Sequence, residues 1–304
     1  MRYLTSGLVI WFLCVFGGAS LAQDYDITDI VVAQDAFLGA QTEESRAELL
    51  AALASYNGEP TVETVQAYHT VMTNDTRAGD PDAMYESATA AREHYEPISD
   101  IIGRQFAEAG FIAAIARFNA ELEPDAMIAM AHVQGFATAQ REDNGERAEW
   151  ARDLMYRSDA WLMTMDAYFD SVEKRHASDG EIEDILESYG ADDNTINARS
   201  AGSLDDSGLP FCSGLMVQKP KLRYPRNKFR KGMFGAVILG LEFDSEGQVI
   251  NPKVLASVPL DEFDERSLET IGKWRFKADE PDQVGVTCRL NRTDVVQPVV
   301  FQFR

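Results

Sequence analysis

Phe234-Gly235-Ala236-Val237-Ile238-Leu239-Gly240-Leu241-Glu242-Phe243, followed at once by Asp244-Ser245-Glu246-Gly247, is the stretch on which the reading of the fold turns. Val237, Leu239, Leu241 and Phe243 point one way, and Ala236, Ile238 and Gly240 the other. That period of two predicts a strand with one well-buried face. Asp244 to Gly247 is a turn cluster in which Gly247 can supply the positive φ of a tight hairpin. Gln248 to Ser257 reads as the returning strand. Beyond it, Asp261 is a candidate N-cap for a helix carrying Phe263, Ser267, Leu268, Ile271 and Trp274 over roughly three turns. Asp294 to Phe303 closes the chain as a strand, with Val295, Val299, Phe301 and Phe303 in phase. The order is strand, hairpin, strand, helix, strand, a small β-β-α-β domain.

The residues that carry this plan also carry a resemblance. Tyr224-Pro225, Gly235-Ala236-Val237, Phe243-Asp244-Ser245-Glu246-Gly247-Gln248-Val249, Phe263-Asp264, Leu268 and Trp274-Arg275-Phe276 stand in an order and spacing similar to the C-terminal periplasmic domain of the TonB energy-transducer family. The resemblance covers about the last third of the chain, from near residue 209. It implies that the final strand pairs with a short peptide, the TonB box, on the periplasmic side of outer-membrane transporters. Recognition of that kind uses an exposed sheet edge, where backbone hydrogen bonds give grip and alternate side chains give selectivity. The matching residues are Val295, Val296, Gln297, Val299, Val300, Phe301 and Phe303, with Tyr224 and Pro225 at the family's motif nearby. Pro298 and Pro252 each remove a donor from a strand, which suits an edge or a bulge.

Charge divides the chain. Of 28 Lys+Arg and 50 Asp+Glu, residues 209–304 hold 15 and 12, so an acidic first part of net −25 precedes a last part of +3. The acidic excess argues against nucleic acid, whose binding needs a cationic face. The break predicts a boundary within a polar connector, and the expected organisation is a signal peptide at 1–22, an acidic helical domain at 23–190, a flexible linker at 191–208 and the C-terminal domain at 209–304. At the entry to that last domain stand Lys219, Lys221, Arg223, Arg226, Lys228, Arg230 and Lys231, without one acid among them. A solvated edge, a dock for the acidic helices and a surface for anionic lipid, glycan or protein are the competing readings of this basic patch.

The first residues read as an export signal. Arg2 precedes the apolar run Leu8 to Phe16, which is too short for the roughly 20 residues of a membrane span. Ser20-Leu21-Ala22 fits a cleavage site that would leave Gln23 first. Cys14 then departs, and Cys212 and Cys288 remain as an even pair for a disulfide in an oxidising compartment. That bridge would close a loop worth about 3–4 kcal/mol on chain-entropy grounds. The rival reading of the leader is an uncleaved inner-membrane anchor.

Residues 23–190 read as helix after helix. Thr42, Thr61, Asp80-Pro81, Glu123-Pro124, Asn144, Ser158-Asp159 and Ser178 open helical patterns, and Ile98 to Phe118 forms a long apolar-periodic stretch weakened at Gly110. Asp80-Pro81-Asp82-Ala83-Met84 returns as Glu123-Pro124-Asp125-Ala126-Met127 43 residues later, a spacing that suits paired-helix repeats as well as an irregular bundle. His69, His94, His132 and His176 form no HExxH or i, i+4 ligand pair, so no metal or cofactor is expected. Ser171-x-x-Lys174 lacks companion motifs, and no catalytic constellation emerges.

The fold class is therefore α+β in two parts: an all-α helical bundle or repeat, then a small TonB-like domain. The expected function is non-enzymatic. It is that of a periplasmic protein that binds a peptide or envelope protein, possible partners including an outer-membrane transporter. The alternative is an atypical TonB-type energy transducer for outer-membrane transport, anchored by an uncleaved N-terminal segment.

Overall fold

The computed structural model describes residues 26–141, 146–190, 214–278 and 292–303. The leader, the expected linker, Asn144, Cys212 and Cys288 lie outside the described residues. By compactness the chain divides into residues 1–59 and residues 60–304.

The first unit is a helical pair. α1 (Ile27–Ala40) starts at Asp26, whose carboxylate accepts from the Thr28 and Asp29 N–H groups, while Asp29 reaches back to complete a capping box. α2 (Glu43–Ser55) starts at Thr42, as the sequence predicts. The sequence reading passed over α1. Ile30 and Phe37 form a buried stripe, but Val31, Val32 and Leu38 are apolar and exposed, so the pattern is blurred in the sequence.

The second unit begins with α3 (Val62–Ala78), α4 (Pro81–Tyr95), a 3₁₀ turn (Glu96–Ile98), α5 (Gly103–Glu121), α6 (Asp125–Gln140), α7 (Glu146–Ser171) and α8 (Asp179–Ser188). From α3 to α7 each helix packs on its successor, and α8 returns onto α6. Thr61, Asp80 and Ser178 cap their helices with side-chain oxygens. Pro81 and Pro124 each stand at the start of the second helix of a pair, but only Asp80 supplies a side-chain cap; Pro124 supplies none. The core holds Phe111, Phe118, Met130, Leu154, Met165 and Phe169. One predicted helix start is absent: α7 runs unbroken through Ser158. That residue is fully buried, and its hydroxyl donates back to the carbonyls of Leu154 at 2.8 Å and Met155 at 3.0 Å instead of capping a new helix.

The rest of the unit is β1 (Gly214–Gln218), α9 (Arg226–Arg230), β2 (Gly235–Phe243), β3 (Val249–Val258), α10 (Asp264–Ile271), β4 (Arg275–Ala278) and β5 (Arg292–Phe301). An antiparallel sheet of order β3-β2-β5 forms the body, and β1 pairs with β4 beside it. The predicted hairpin is present. Asp244 accepts from the N–H groups of Glu246 and Gln248, and Gly247 takes φ 72° where a Cβ would collide with the Phe276 carbonyl. The pair β1 and β4 was not foreseen, being short and without alternation. α10 begins at Phe263 and not at Asp261, which sits at φ 60° in the preceding turn. Burial of the Phe263 ring, stacked 4.2 Å from Phe301, sets where the helix starts. The helix is eight residues long, shorter than predicted, and Trp274 enters the core from beyond its end.

β2 is buried on both faces. Val237, Leu239, Leu241 and Phe243 meet Phe263, Ile271, Trp274 and Phe276. On the reverse face Ile238, Ala256 and Val258 meet Ala160 of α7, flanked by Tyr156, Trp161 and Met163. The expected single buried face is thus corrected to two. The reason is visible in the residues: Ala236, Ile238 and Gly240 are small or apolar, and a face left to water would carry polar side chains there.

The turn between α7 and α8 is closed by His176. Its ring stacks on Phe169, its Nδ1 lies 2.9 Å from the Ala177 carbonyl and 3.7 Å from Asp166, and its Nε2 lies 3.3 Å from Asp170. Burial pulls the imidazole pKa down. The Ala177 carbonyl and the Asp170 and Asp166 carboxylates outweigh it and hold the ring above its usual 6.5. Asp166 is itself pushed up, by burial first and then by Asp170.

Two outcomes follow from this packing. Ile238→Ala should cost about 2–5 kcal/mol in urea unfolding, as a core truncation does, whereas a residue on a solvated sheet face would cost about 0.5 or less. The His176 contacts stabilise fully below the unfolded-state pKa and are lost as pH rises through the higher folded-state value. Between about pH 6 and pH 9 the melting temperature of the natural chain should fall more than that of His176→Gln; parallel curves would exclude the contribution.

Candidate functional site

The edge of the sheet is built by β5. Among the described residues its strand neighbour is β2, paired in unbroken antiparallel register from Gly235↔Phe301 to Leu241↔Val295. β3, at the opposite edge, is irregular. Asn251, at φ 47°, and Pro252 together face Leu241, and a second shift falls between Ile238 and Leu239. Bulges of this kind blunt an edge against further pairing. Both prolines that the sequence placed at edges do lie in the edge strands.

The side chains of β5 divide by parity. Val295, Val299 and Phe301 turn into the core shared with α10, and Gln297 stands opposite Leu239 on that face. Val296 turns to the face covered by α7, and Val300 is 40 % exposed. Most of the side chains named from the sequence are therefore engaged in the fold, and the strand offers a partner chiefly its backbone.

Tyr224 is brought to the end of this strand. Its ring stacks on Phe303 at 5.2 Å and meets Phe301 and Phe263 edge-on, and its hydroxyl donates to the Met233 carbonyl. Burial pushes the phenol pKa up. Pro225 stands at the N-cap of α9. Phe229 and Phe234 complete the cluster, 5.2 and 4.8 Å from Phe303, and Tyr168 of α7 lies edge-on to Phe234 at 5.9 Å. These aromatic partners were missed. Phe229 belongs to no periodic pattern, Phe234 only opens the alternating strand, and Tyr168 reads as ordinary helix core.

The basic residues are distributed around this end. Lys219 lies over the Trp274 ring at 4.6 Å, and Lys228 pairs with Glu262. Lys221, Arg223, Arg226, Arg230 and Lys231 are exposed. Elsewhere, the ligand-type atoms of Asp166, Asp170 and His176 lie within 4.8 Å of one another. That is close enough for the two carboxylates to share the charge of His176 whenever the ring is protonated. The sequence search for histidine pairs overlooked this group because Asp166 and Asp170 are the i, i+4 pair and His176 folds back from the following turn. Ser171 donates to the Tyr168 carbonyl, and Lys174 to the Leu122 carbonyl at 2.8 Å, so the S-x-x-K pair is used in helix-end contacts. No helix among the described residues is long and apolar enough to cross a membrane.

A sequence model of the Gram-negative bacterial TonB protein C-terminal family matches residues 220–295. The chain is also similar to Protein TonB of Vibrio cholerae serotype O1 (strain ATCC 39315 / El Tor Inaba N16961), with 31 % identity over 84 residues. That alignment covers 25 % of this chain and 34 % of the relative, so the chain spans about a third of the length of the curated relative it matches. The matched segment takes in Tyr224, Phe229, Phe234 and Phe263 of the aromatic cluster, the hairpin, α10 and the start of the edge strand, while Phe301 and Phe303 lie beyond it. Residues 220–295 of this chain are a TonB C-terminal domain.

Proposed function

We propose that this protein is a non-catalytic binding protein of the Gram-negative envelope, acting in the periplasm, whose β5 accepts an extended peptide by strand addition. One observation carries the reading. β5 presents seven residues of regular register at a sheet edge, while the competing edge on β3 is bulged twice. The TonB C-terminal domain supports a protein partner, and the family resemblance points to the TonB box of an outer-membrane transporter. The acidic helices serve in this reading as a second protein-binding platform, separated in sequence from the β-domain by residues 191–208. Their last long helix, α7, also braces the sheet beneath the binding edge.

Pro298 suggests which groups a peptide would meet. It has no N–H, so it fits a position turned away from β2. In an antiparallel pair, alternate residues direct both backbone groups to the same side. Val296 and Val300 then share the outward parity, and Val299 and Phe301 the inward one. Tyr224 contributes by holding the end of β5 through Phe301 and Phe303.

A second reading, energy transduction to an outer-membrane transporter from an uncleaved inner-membrane anchor, is favoured by the similarity to a Protein TonB. The mass of the N-terminus of the protein recovered from cells separates the two: a chain starting at Gln23 supports the first, and retained Met1 the second.

Strand addition makes a sharp prediction. Val300→Pro removes an outward N–H from a half-exposed position and leaves the ladder to β2 in place. By fluorescence anisotropy it should bind a TonB-box peptide about tenfold or more weakly, the loss of one or two backbone hydrogen bonds. Its urea midpoint should move little. Val299→Ala, which trims the core face, should instead lower the midpoint with a smaller effect on binding. Unchanged peptide affinity in Val300→Pro would remove β5 as the receiving edge.

A further inference from the structure

Residues 214–234 contain seven cations and no carboxylate. The fold spreads this charge in an ordered way. From Lys219 to Tyr224 the chain alternates: Lys219, Lys221 and Arg223 are exposed, while Pro220, Leu222 and Tyr224 are half-buried. Leu222 and Tyr224 pack against the β-domain core. The backbone is thereby anchored from beneath, and the cations are held on the outer side. In α9, Arg226, Phe229 and Arg230 stand at i, i+3 and i+4, which places them on one helical face. Phe229 is 57 % exposed, although its ring edges touch Tyr224 and Phe303.

An aromatic ring left more than half exposed on a helical face it shares with two arginines is costly in water. Nothing in strand addition along β5 requires it. The neighbouring cations are spread over an extended segment, a short helix and a turn. Convergent donors would suit a single carboxylate or phosphate; a spread of long, flexible cations around one apolar anchor suits a planar surface that is anionic at the level of the charges and apolar just beneath. An anionic lipid bilayer has that layering.

We propose that the segment Lys221 to Lys231 is a membrane-adsorption surface. Lys221, Arg223, Arg226, Arg230 and Lys231 engage anionic lipid headgroups, and Phe229 enters the headgroup–acyl boundary. The chain carries a formal net charge of −22, which would repel such a surface if it acted as a whole. At physiological ionic strength, however, charges act over about 8 Å, so a local row of cations governs contact once it faces the lipid. Adsorption here would hold the β5 edge close to a bilayer, because Phe229 touches Phe303 just beyond the end of that strand. The proposal does not depend on what β5 binds.

Vesicle co-sedimentation of the full chain tests it. Phosphatidylcholine vesicles are compared with the same vesicles containing phosphatidylglycerol, and the difference between the two is the reading. The natural chain should partition preferentially onto the anionic vesicles. Lys221→Ala and Arg223→Ala, at exposed positions that leave the core intact, should each weaken that preference about fivefold. Phe229→Ser should weaken it roughly tenfold, with a melting curve recorded to verify the fold. Equal partition onto both vesicles, no partition, or a preference untouched by Lys221→Ala and Arg223→Ala would overturn the proposal. So would binding of a soluble poly-glutamate peptide that is lost in those two variants while anionic vesicles are ignored, since the surface would then be a dock for acidic protein.

Discussion

Ile238 lies fully buried at the centre of the β-sheet, against Ala160 of a helix from the acidic part of the chain. Much of the molecule depends on this contact. A three-stranded sheet has two faces to remove from water, and α10 with its flanking aromatics covers one. α7 covers the other. Covering both faces lets β2 consist almost entirely of apolar or small residues, and among the described residues it leaves β5 and β3 as the two edges of the sheet. The same packing joins two regions whose charges differ so much that sequence alone separates them.

At one end of that sheet, aromatic rings take over from aliphatic packing. Tyr224, Phe263, Phe301 and Phe303 form a stacked and edge-on cluster, tied to the backbone through the Tyr224 hydroxyl. Rings in such arrangements contribute geometry as well as buried area. The cluster fastens the end of β5 to Tyr224 through Phe301 and Phe303. In the strand-addition reading proposed for β5, this rigidity would favour binding, because an acceptor strand that is already extended has less ordering to lose. The two bulges of β3 act in the complementary direction, by making the other edge a poor acceptor.

Legibility in the sequence followed how local the governing interaction is. Thr42, Thr61, Asp80 and Ser178 were readable as caps because a cap is satisfied within four residues of itself. The Asp244–Gly247 turn was readable for the same reason. Ser158 misled, since a serine that caps and a serine that bonds backward within a helix look alike until burial is known. Asp261 misled because the ring of Phe263, held by a strand about forty residues away in sequence, chose the helix start. The edge position of the last strand was inferred from Pro298 and from the family resemblance. Which of its side chains remain exposed could not be inferred, because that depends on α7 and α10 together.

By itself, then, the amino-acid sequence determined the α+β division, the hairpin, the helix starts capped at Thr42, Thr61, Asp80 and Ser178, the charge contrast between the acidic first part and the slightly basic last third, and the family resemblance of the C-terminal segment. These rest on periodicity, turn chemistry and charge, all of which act between near neighbours. Tertiary structure alone decided that β2 is buried twice, that Tyr224 and Phe229 close around Phe303, that His176 returns to Asp166 and Asp170, and that Lys228 is paired while Lys221, Arg223, Arg226, Arg230, Lys231 and the Phe229 ring stay exposed. Each of these joins residues that are distant in sequence or unpatterned within it. Packing selects such contacts by shape and burial, which no short window of sequence contains.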